Sequence, residues 1–517
     1  NTEIAFEAPV SSGQLVTFHY SLSNLAKSPG YSPREADDRV GYFVTSYKDL
    51  GQFGVEEQYT RYINRWHLEK ADPKRRLSPP KEPIVFYIDH TVPVRYRRFV
   101  RQGIEYWNKA FEEIGILNAI EVRYQDSTTG AHMDKDPEDV RYNFIRWLSN
   151  DISTAIGPSR VHPETGEILD ADIVLTDGWI RVYWNESHNL FPDLAMEGYG
   201  PETLAWFDRH PEWDPRILLA SPSERDHMLQ QRHLQGIRAY GGHPAAMVDS
   251  TMYGDDEYDG LVDLSQHNGC CMAAQGKGME LAMMRMHFEM LGLGDTEVSE
   301  PPAIPDDLPP ELKEMIKKRL EEAAKEGKLN PEMMEQYGSL IGNVEPEGDD
   351  EPETTEEPKG DKGAKEDPSD LIDGVPDWFI GPALADLTCH EVGHTLGLRH
   401  NFKASSVYTL DEMNSGDLKT PITSSVMDYN PTNFNYGGEG QGDYFMTSVG
   451  EYDKWAIAYG YGDDHKKQLE RCTEPALQFQ TDEDTWGPDP FSRRYDFTAN
   501  PIDYANTRMR LVHDLRE

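Results

Sequence analysis

Residues 84–89 (IVFYID) form a short, mostly apolar run directly after Pro83, the pattern of a buried strand. Phe99, Ile104, Trp107, Phe111 and Ile114 then recur at helical spacing and stop at Gly115, which predicts an amphipathic helix with a glycine terminator. Residues 120–124 alternate as a strand and residues 142–148 offer another. Pro158, Pro163 and Gly166 mark a turn, and residues 168–176 (ILDADIVLT) read as the next strand. Three further segments, 223–240, 276–291 and 311–325, read as helices, the last rich in Glu, Lys and Ala. Residues 345–370 break every pattern. Their twelve acids stand against three lysines with almost nothing apolar, so the segment cannot repay the entropy of ordering and reads as a solvated linker.

The candidate chemistry is concentrated in residues 390–400, HEVGHTLGLRH. On a helix, His390 and His394 sit at i and i+4, so both imidazoles leave one face about a turn apart and can reach one tetrahedral Zn²⁺. Glu391, one step round, is placed to act as general base on a metal-activated water. Gly397 tolerates positive φ and lets the chain leave the helix sharply, which brings His400 back as a third ligand. A continuing helix would carry it away.

This HExxHxxGxxH run resembles the metzincin zinc peptidases. The resemblance extends to a methionine turn at Ser425-Val426-Met427-Asp428-Tyr429. It implies that Met427 forms an apolar floor beneath the metal without ligating it. It also implies that Tyr429, as in the astacin and serralysin branches, approaches the metal or stabilises the tetrahedral oxyanion. Strand, long helix and several strands ahead of the motif match the order of a metzincin N-terminal subdomain. The resemblance makes the last of those strands, within 168–176, the edge on which an extended peptide lies antiparallel, a case of β-augmentation. Residues 62–70 (YINRWHLEK) and 399–402 (RHNF) are similar to a group of large bacterial zinc-dependent metalloproteases with a β-rich N-terminal region.

The expected fold is therefore α+β: a metzincin-like core of twisted mixed sheet, long helix and zinc helix, a C-terminal subdomain after the Met turn, and a large, mainly helical insertion. In domain terms this gives a β-rich region at 1–80, the N-terminal subdomain at 81–180 and the insertion at 181–375. The zinc helix, Met turn and a helix opening at Gly450 follow at 376–465, and an extension at 466–517 closes the chain. At 517 residues there is ample material for several cores.

A net charge of −42 argues against nucleic acid and anionic membrane surfaces as partners. No run approaches the length of a membrane-spanning helix. The chain begins at Asn1 without an initiator methionine or signal peptide, so it reads as a mature or excised portion of a longer precursor, and a secreted or periplasmic setting is expected. Cys270, Cys271, Cys389 and Cys472 make no CxxC pair. Cys389 should point away from the ligand face and pack. For the Cys270-Cys271 pair, a disulfide from one of them to Cys472 and a latent cap on the zinc both stay open.

The function these residues predict is zinc-dependent hydrolysis of peptide bonds, His390, His394 and His400 holding one Zn²⁺ while Glu391 and Tyr429 do the chemistry. Ca²⁺ has no specific motif here. The alternatives are a zinc hydrolase on a non-peptide substrate, and a binding or structural protein on the same fold. Peptide or protein substrate is the expected partner, bound as an extended strand.

Overall fold

The computed structural model describes residues 2–9, 15–22, 28–51, 59–149, 155–179, 199–218, 371–372, 375–438 and 440–516, with shorter pieces at 25, 228–229, 270–271, 273, 277, 309–310, 312–314 and 316–318. By internal contacts the chain divides into two units. The first comprises residues 1–183, 256–281 and 371–517, and the second residues 184–255 and 282–370.

The first unit opens with two antiparallel hairpins, β1 (Thr2–Pro9) with β2 (Leu15–Leu22) and β3 (Val44–Lys48) with β4 (Tyr59–Ile63). Its centre is a six-stranded mixed sheet. The apolar run after Pro83 forms β5 (Ile84–Ile88), which lies parallel between β6 (Ile120–Tyr124) and β7 (Asn143–Leu148). Phe86 and Ile88 on one face and Tyr87 on the other are all buried there, as a strand covered on both faces requires.

The helical pattern of residues 99–114 becomes two helices, α1 (Val94–Tyr106) and α2 (Asn108–Glu113), meeting at Trp107. Gly115 terminates the second at φ +87°. Helix α1 packs closely on the long helix α4 (Asp377–Thr395), because Gly103 carries no side chain where a Cβ would overlap Ala385 O and stand 3.0 Å from Cys389 N. At the junction Trp107 is fully buried and its Nε1 donates to Cys389 O at 2.8 Å. Removing that side chain is expected to cost about 3–5 kcal/mol.

The run 168–176 is not one strand. It splits into β10 (Ile168–Ala171), paired with β9 (Ser159–Val161) in a small separate sheet, and β11 (Ile173–Thr176) in the main sheet. The break falls beside Asp172, whose carboxylate accepts from Phe144 N at 3.0 Å and whose own N–H donates to Pro158 O at 3.1 Å. A side chain committed to the neighbouring backbone cannot continue the alternation.

The expectation that this run supplies the sheet edge is also corrected. Strand β11 is internal, parallel to β7 on one side and antiparallel to β8 (Ala155–Ile156) on the other. The antiparallel strand β8 lies just ahead of the turn marked by Pro158, where no strand was expected, two residues being too few to show a period. Beyond it, β12 (Cys270–Cys271) pairs antiparallel with β8, Cys270 opposite Ile156 and Cys271 opposite Ala155.

In the second unit, helix α3 (Pro201–Phe207) buries Trp206 and Phe207 with Leu312 in a small apolar cluster. Residues 310, 312–314 and 316–318 are helical, as are 228–229. The remainder of the predicted helices at 223–240 and 311–325, nearly all of 276–291, and the acidic linker 345–370 lie outside the described residues. After α4 the first unit continues through loops to α5 (Glu451–Tyr461) and ends in α6 (Pro501–Arg516). No helix among the described residues is long and apolar enough to cross a membrane.

Candidate metal centre

His390 and His394 lie one turn apart near the end of α4, and nearly every residue from Phe379 to Thr395 is buried. Such a helix is buried on all sides because sheet, α1 and C-terminal loops surround it. The chain leaves at Gly397, whose φ of +97° is a left-handed conformation costly for any other residue. A Cβ there would overlap Asn64 O, so the turn also needs glycine to admit the N-terminal segment. Backbone bonds hold the turn from outside, Phe43 N donating to Gly397 O at 2.8 Å and Arg399 N to Gly41 O at 2.9 Å. Trp66, within the 62–70 segment, donates from Nε1 to Thr395 O at 2.8 Å.

This geometry returns His400 to the other two imidazoles. One ring nitrogen from each of His390, His394 and His400 falls within 4.8 Å of the others, and all three residues are buried. The opposite nitrogens are all occupied. His390 Nδ1 donates to Val426 O at 2.6 Å and His394 Nδ1 to Leu398 O at 2.9 Å. His400 Nδ1 faces the Asp482 carboxylate at 3.0 and 3.2 Å. Since a carbonyl or carboxylate oxygen can only accept, each Nδ1 carries the proton and each Nε2 presents a lone pair. His394 Nε2 and His400 Nε2 are only 3.2 Å apart, and two lone pairs cannot hydrogen-bond to one another. Burial, and then the neighbouring rings, push the His390 pKa well down and that of His394 to about 3, so both imidazoles are neutral at pH 7. Three buried, convergent imidazoles, His390 and His394 among them neutral, fit a divalent N-ligated cation such as Zn²⁺.

Glu391 is fully buried beside the strand β8. A Cβ on Gly157, just past β8, would come within 2.9 Å of Glu391 O and 3.4 Å of its Oε2, so glycine there makes room for the carboxylate. Met427 is also fully buried, and its sulfur lies where a Cβ on Gly393 would be. The absent side chain at Gly393, between the two helical histidines, is what lets the methionine turn seat under the helix. The Tyr429 ring stands 4.7 Å from that of His400 and 5.7 Å from that of His390, on the side of the turn that faces the histidines. Cys389 is a buried free thiol and Cys472 is also free, so the disulfide alternative is not realised. The side chains of Cys270 and Cys271, and with them the zinc-capping idea, lie outside the described residues.

Two aspartates were not singled out in the sequence. Asp453, on α5, accepts from Ser425 Oγ (2.6 Å), Val426 N (2.9 Å) and Gly450 N (2.7 Å), and so organises the methionine turn. Burial, against these three hydrogen bonds, raises its pKa to about 7. Asp482 meets His400 from the C-terminal extension. Burial works to raise its carboxyl too, but His400, Arg494 and Arg399 outweigh it and hold the group well below the usual carboxylate range. Neither contact follows a spacing, since Asp453 and Asp482 reach the site from separate elements. One further group of the same kind is Asp386, a turn before His390, which pairs with buried Lys277.

Residues 2–71 match a family described only as a domain of unknown function. No curated protein and no solved structure matches the chain. Residues 373–517 match the family described as Met-zincin, a span that includes all three histidines, the methionine turn, Asp453 and Asp482. The part of this chain that builds the three-histidine cluster is thus the part similar to the Met-zincin family, and that family points to a zinc metallopeptidase.

Proposed function

We propose that the protein hydrolyses peptide bonds, with His390, His394 and His400 holding a single catalytic Zn²⁺ and Glu391 serving as general base. The observation that carries this reading is the convergence of three Nδ1-protonated imidazoles whose Nε2 lone pairs face one another beside a buried glutamate. Bound there, zinc supplies Lewis acidity that lowers the pKa of water from 15.7 towards about 7 and polarises a carbonyl. Glu391 takes the proton of the attacking water and passes it to the departing amine nitrogen. The Tyr429 phenol, protonated at neutral pH, donates to the oxyanion that develops at the tetrahedral carbon. A covalent acyl-enzyme is not needed.

The substrate reading shifts with the sheet order. An extended peptide would pair with the outer edge of β8, next to Gly157 and Glu391. Cys270–Cys271 already occupies that edge in the antiparallel sense a substrate would adopt. Peptide pairing on β8 therefore requires these two residues to leave it. Endopeptidase action is the expected mode, and a secreted or periplasmic setting suits it.

The test is hydrolysis of a mixed peptide library by the zinc-loaded chain, with products read by mass spectrometry, alongside Glu391→Gln. Cleavage by the parent that vanishes in the variant at unchanged zinc content is the expected result. Zinc retained without cleavage of any peptide would move the reading to a non-peptide substrate or to a binding protein.

A further inference from the structure

The three imidazoles are not held alike. His390 and His394 lean on neutral backbone carbonyls, whereas His400 leans on a full carboxylate brought from 82 residues along the chain. Asp482 is 2 % exposed and opens a short 3₁₀ turn, Asp482–Trp486. It also receives Arg494 Nη2 and Thr481 Oγ1, each at 3.3 Å.

The segment around it is laid along the third-ligand loop by bonds on both sides of His400. Arg399 pairs with Glu483 at 2.6 Å and Lys403 with Asp489 at 2.6 Å. Phe402 N donates to Gln480 O at 2.8 Å, and Asn401 Nδ2 to Gln478 O at 3.0 Å. Burying a carboxylate is costly, and a fold that needed only to cover the loop could do so with apolar residues. Here the carboxylate is aimed at one ring nitrogen of the histidine that no helix holds in place.

We propose that Asp482 is a positioning residue for the third metal ligand, fixing His400 as the Nδ1–H tautomer with its Nε2 turned to the other two histidines and strengthening the site's hold on zinc. The proposal rests on the zinc reading above. Three roles follow from one contact. The carboxylate fixes the ring's orientation, fixes its tautomer, and adds electron density to Nε2 through the Nδ1–H donated to it. His390 and His394 have their orientation from the helix and need only a carbonyl. His400 sits on an irregular loop and has no such support.

The experiment is zinc affinity of the full chain, measured by chelator competition for the parent, Asp482→Asn and Asp482→Ala. The thermal midpoint of each metal-free form is recorded alongside. Ser405→Ala is the control, because Ser405 Oγ ties to Asp496 at 2.9 Å in the same C-terminal stretch without touching an imidazole. Zinc binding in both Asp482 variants should weaken by roughly 10–100-fold, as is typical for loss of a ligand's carboxylate partner, while Ser405→Ala keeps parental affinity. Parental affinity in the Asp482 variants overturns the proposal, and so does an equal loss in Ser405→Ala, since that would make the effect one of packing. Should Asp482→Ala fail to fold, Asp482→Asn carries the same test. A parent chain that binds no zinc would instead sink the metal reading itself.

Discussion

The methionine turn and the loop that carries His400 are both irregular, both buried, and both organised by a single aspartate, yet the two aspartates live under opposite conditions. Asp453 accepts three hydrogen bonds from neutral donors, and burial raises its pKa to about 7. Asp482 is buried too, but His400 and two arginines hold it well down and ionised. The first region is thus held by a carboxyl that changes charge near neutrality, the second by one that keeps its charge. Burial alone does not decide the state of a carboxyl; the charge of its partners does.

The largest effect that would break this comparison is expected from Asp453→Ala. It removes the acceptor of Ser425 Oγ, Val426 N and Gly450 N at once, all in buried surroundings. At about 1–3 kcal/mol for each donor left unpaired, denaturant unfolding should show a loss of at least about 3 kcal/mol. A smaller loss would mean that water or a rearranged turn replaces the carboxylate.

The same residue predicts a pH dependence whose sign is fixed by its raised pKa. Between the unfolded value of 3.8 and the folded value of about 7, the folded chain keeps a proton that the unfolded chain has released. This contribution to stability is full below about pH 4, falls through that window and is gone above it, on the order of 4 kcal/mol in all. Stability measured across pH 4–8 should lose this component in Asp453→Asn. If the parent and the variant give parallel profiles, the raised pKa is wrong.

Tyr429 leaves the methionine turn and leans on His400, so it joins the two regions. Tyr429→Phe keeps the ring and removes the donor. A fall of roughly 10²–10³ in kcat at constant zinc content is expected, the usual effect of losing one oxyanion donor. An unchanged kcat would reduce the tyrosine to packing and leave the three-histidine cluster intact.

A smaller effect is expected from Gly393→Ala, where the new methyl would overlap the Met427 sulfur and lie 2.8 Å from Trp107 Cζ2. Overpacking of this kind costs about 1–3 kcal/mol. The crystal structure of the variant should show Met427 displaced from the helix. A methionine that stays in place would show that the turn is held by Asp453 alone.

Much of the site was legible because its chemistry is local. His390, Glu391 and His394 share a helix face through backbone geometry, and Gly397 returns His400 within six residues of His394. Strand β5, the strand–helix order and the glycine stop at Gly115 were legible for the same reason, each being a periodicity or a single backbone conformation. The edge of the sheet was not. Ala155–Ile156 is too short to carry an alternation, and its neighbour Cys270–Cys271 arrives from beyond residue 176, so neither pairing has a local signature.

What the sequence determined by itself is the convergence of the three histidines and their spacing, because helix pitch and one positive-φ glycine convert positions in the chain directly into positions in space. What only the tertiary structure decided is which groups stand behind those histidines. Val426 O, the Asp453 carboxyl and the Asp482 carboxylate reach the site through packing between separate elements, and a hydrogen bond depends on distance in space, which a sequence interval across a loop does not set. Tautomer, ring orientation and protonation all follow from those partners, so they became readable only once the fold had brought them together.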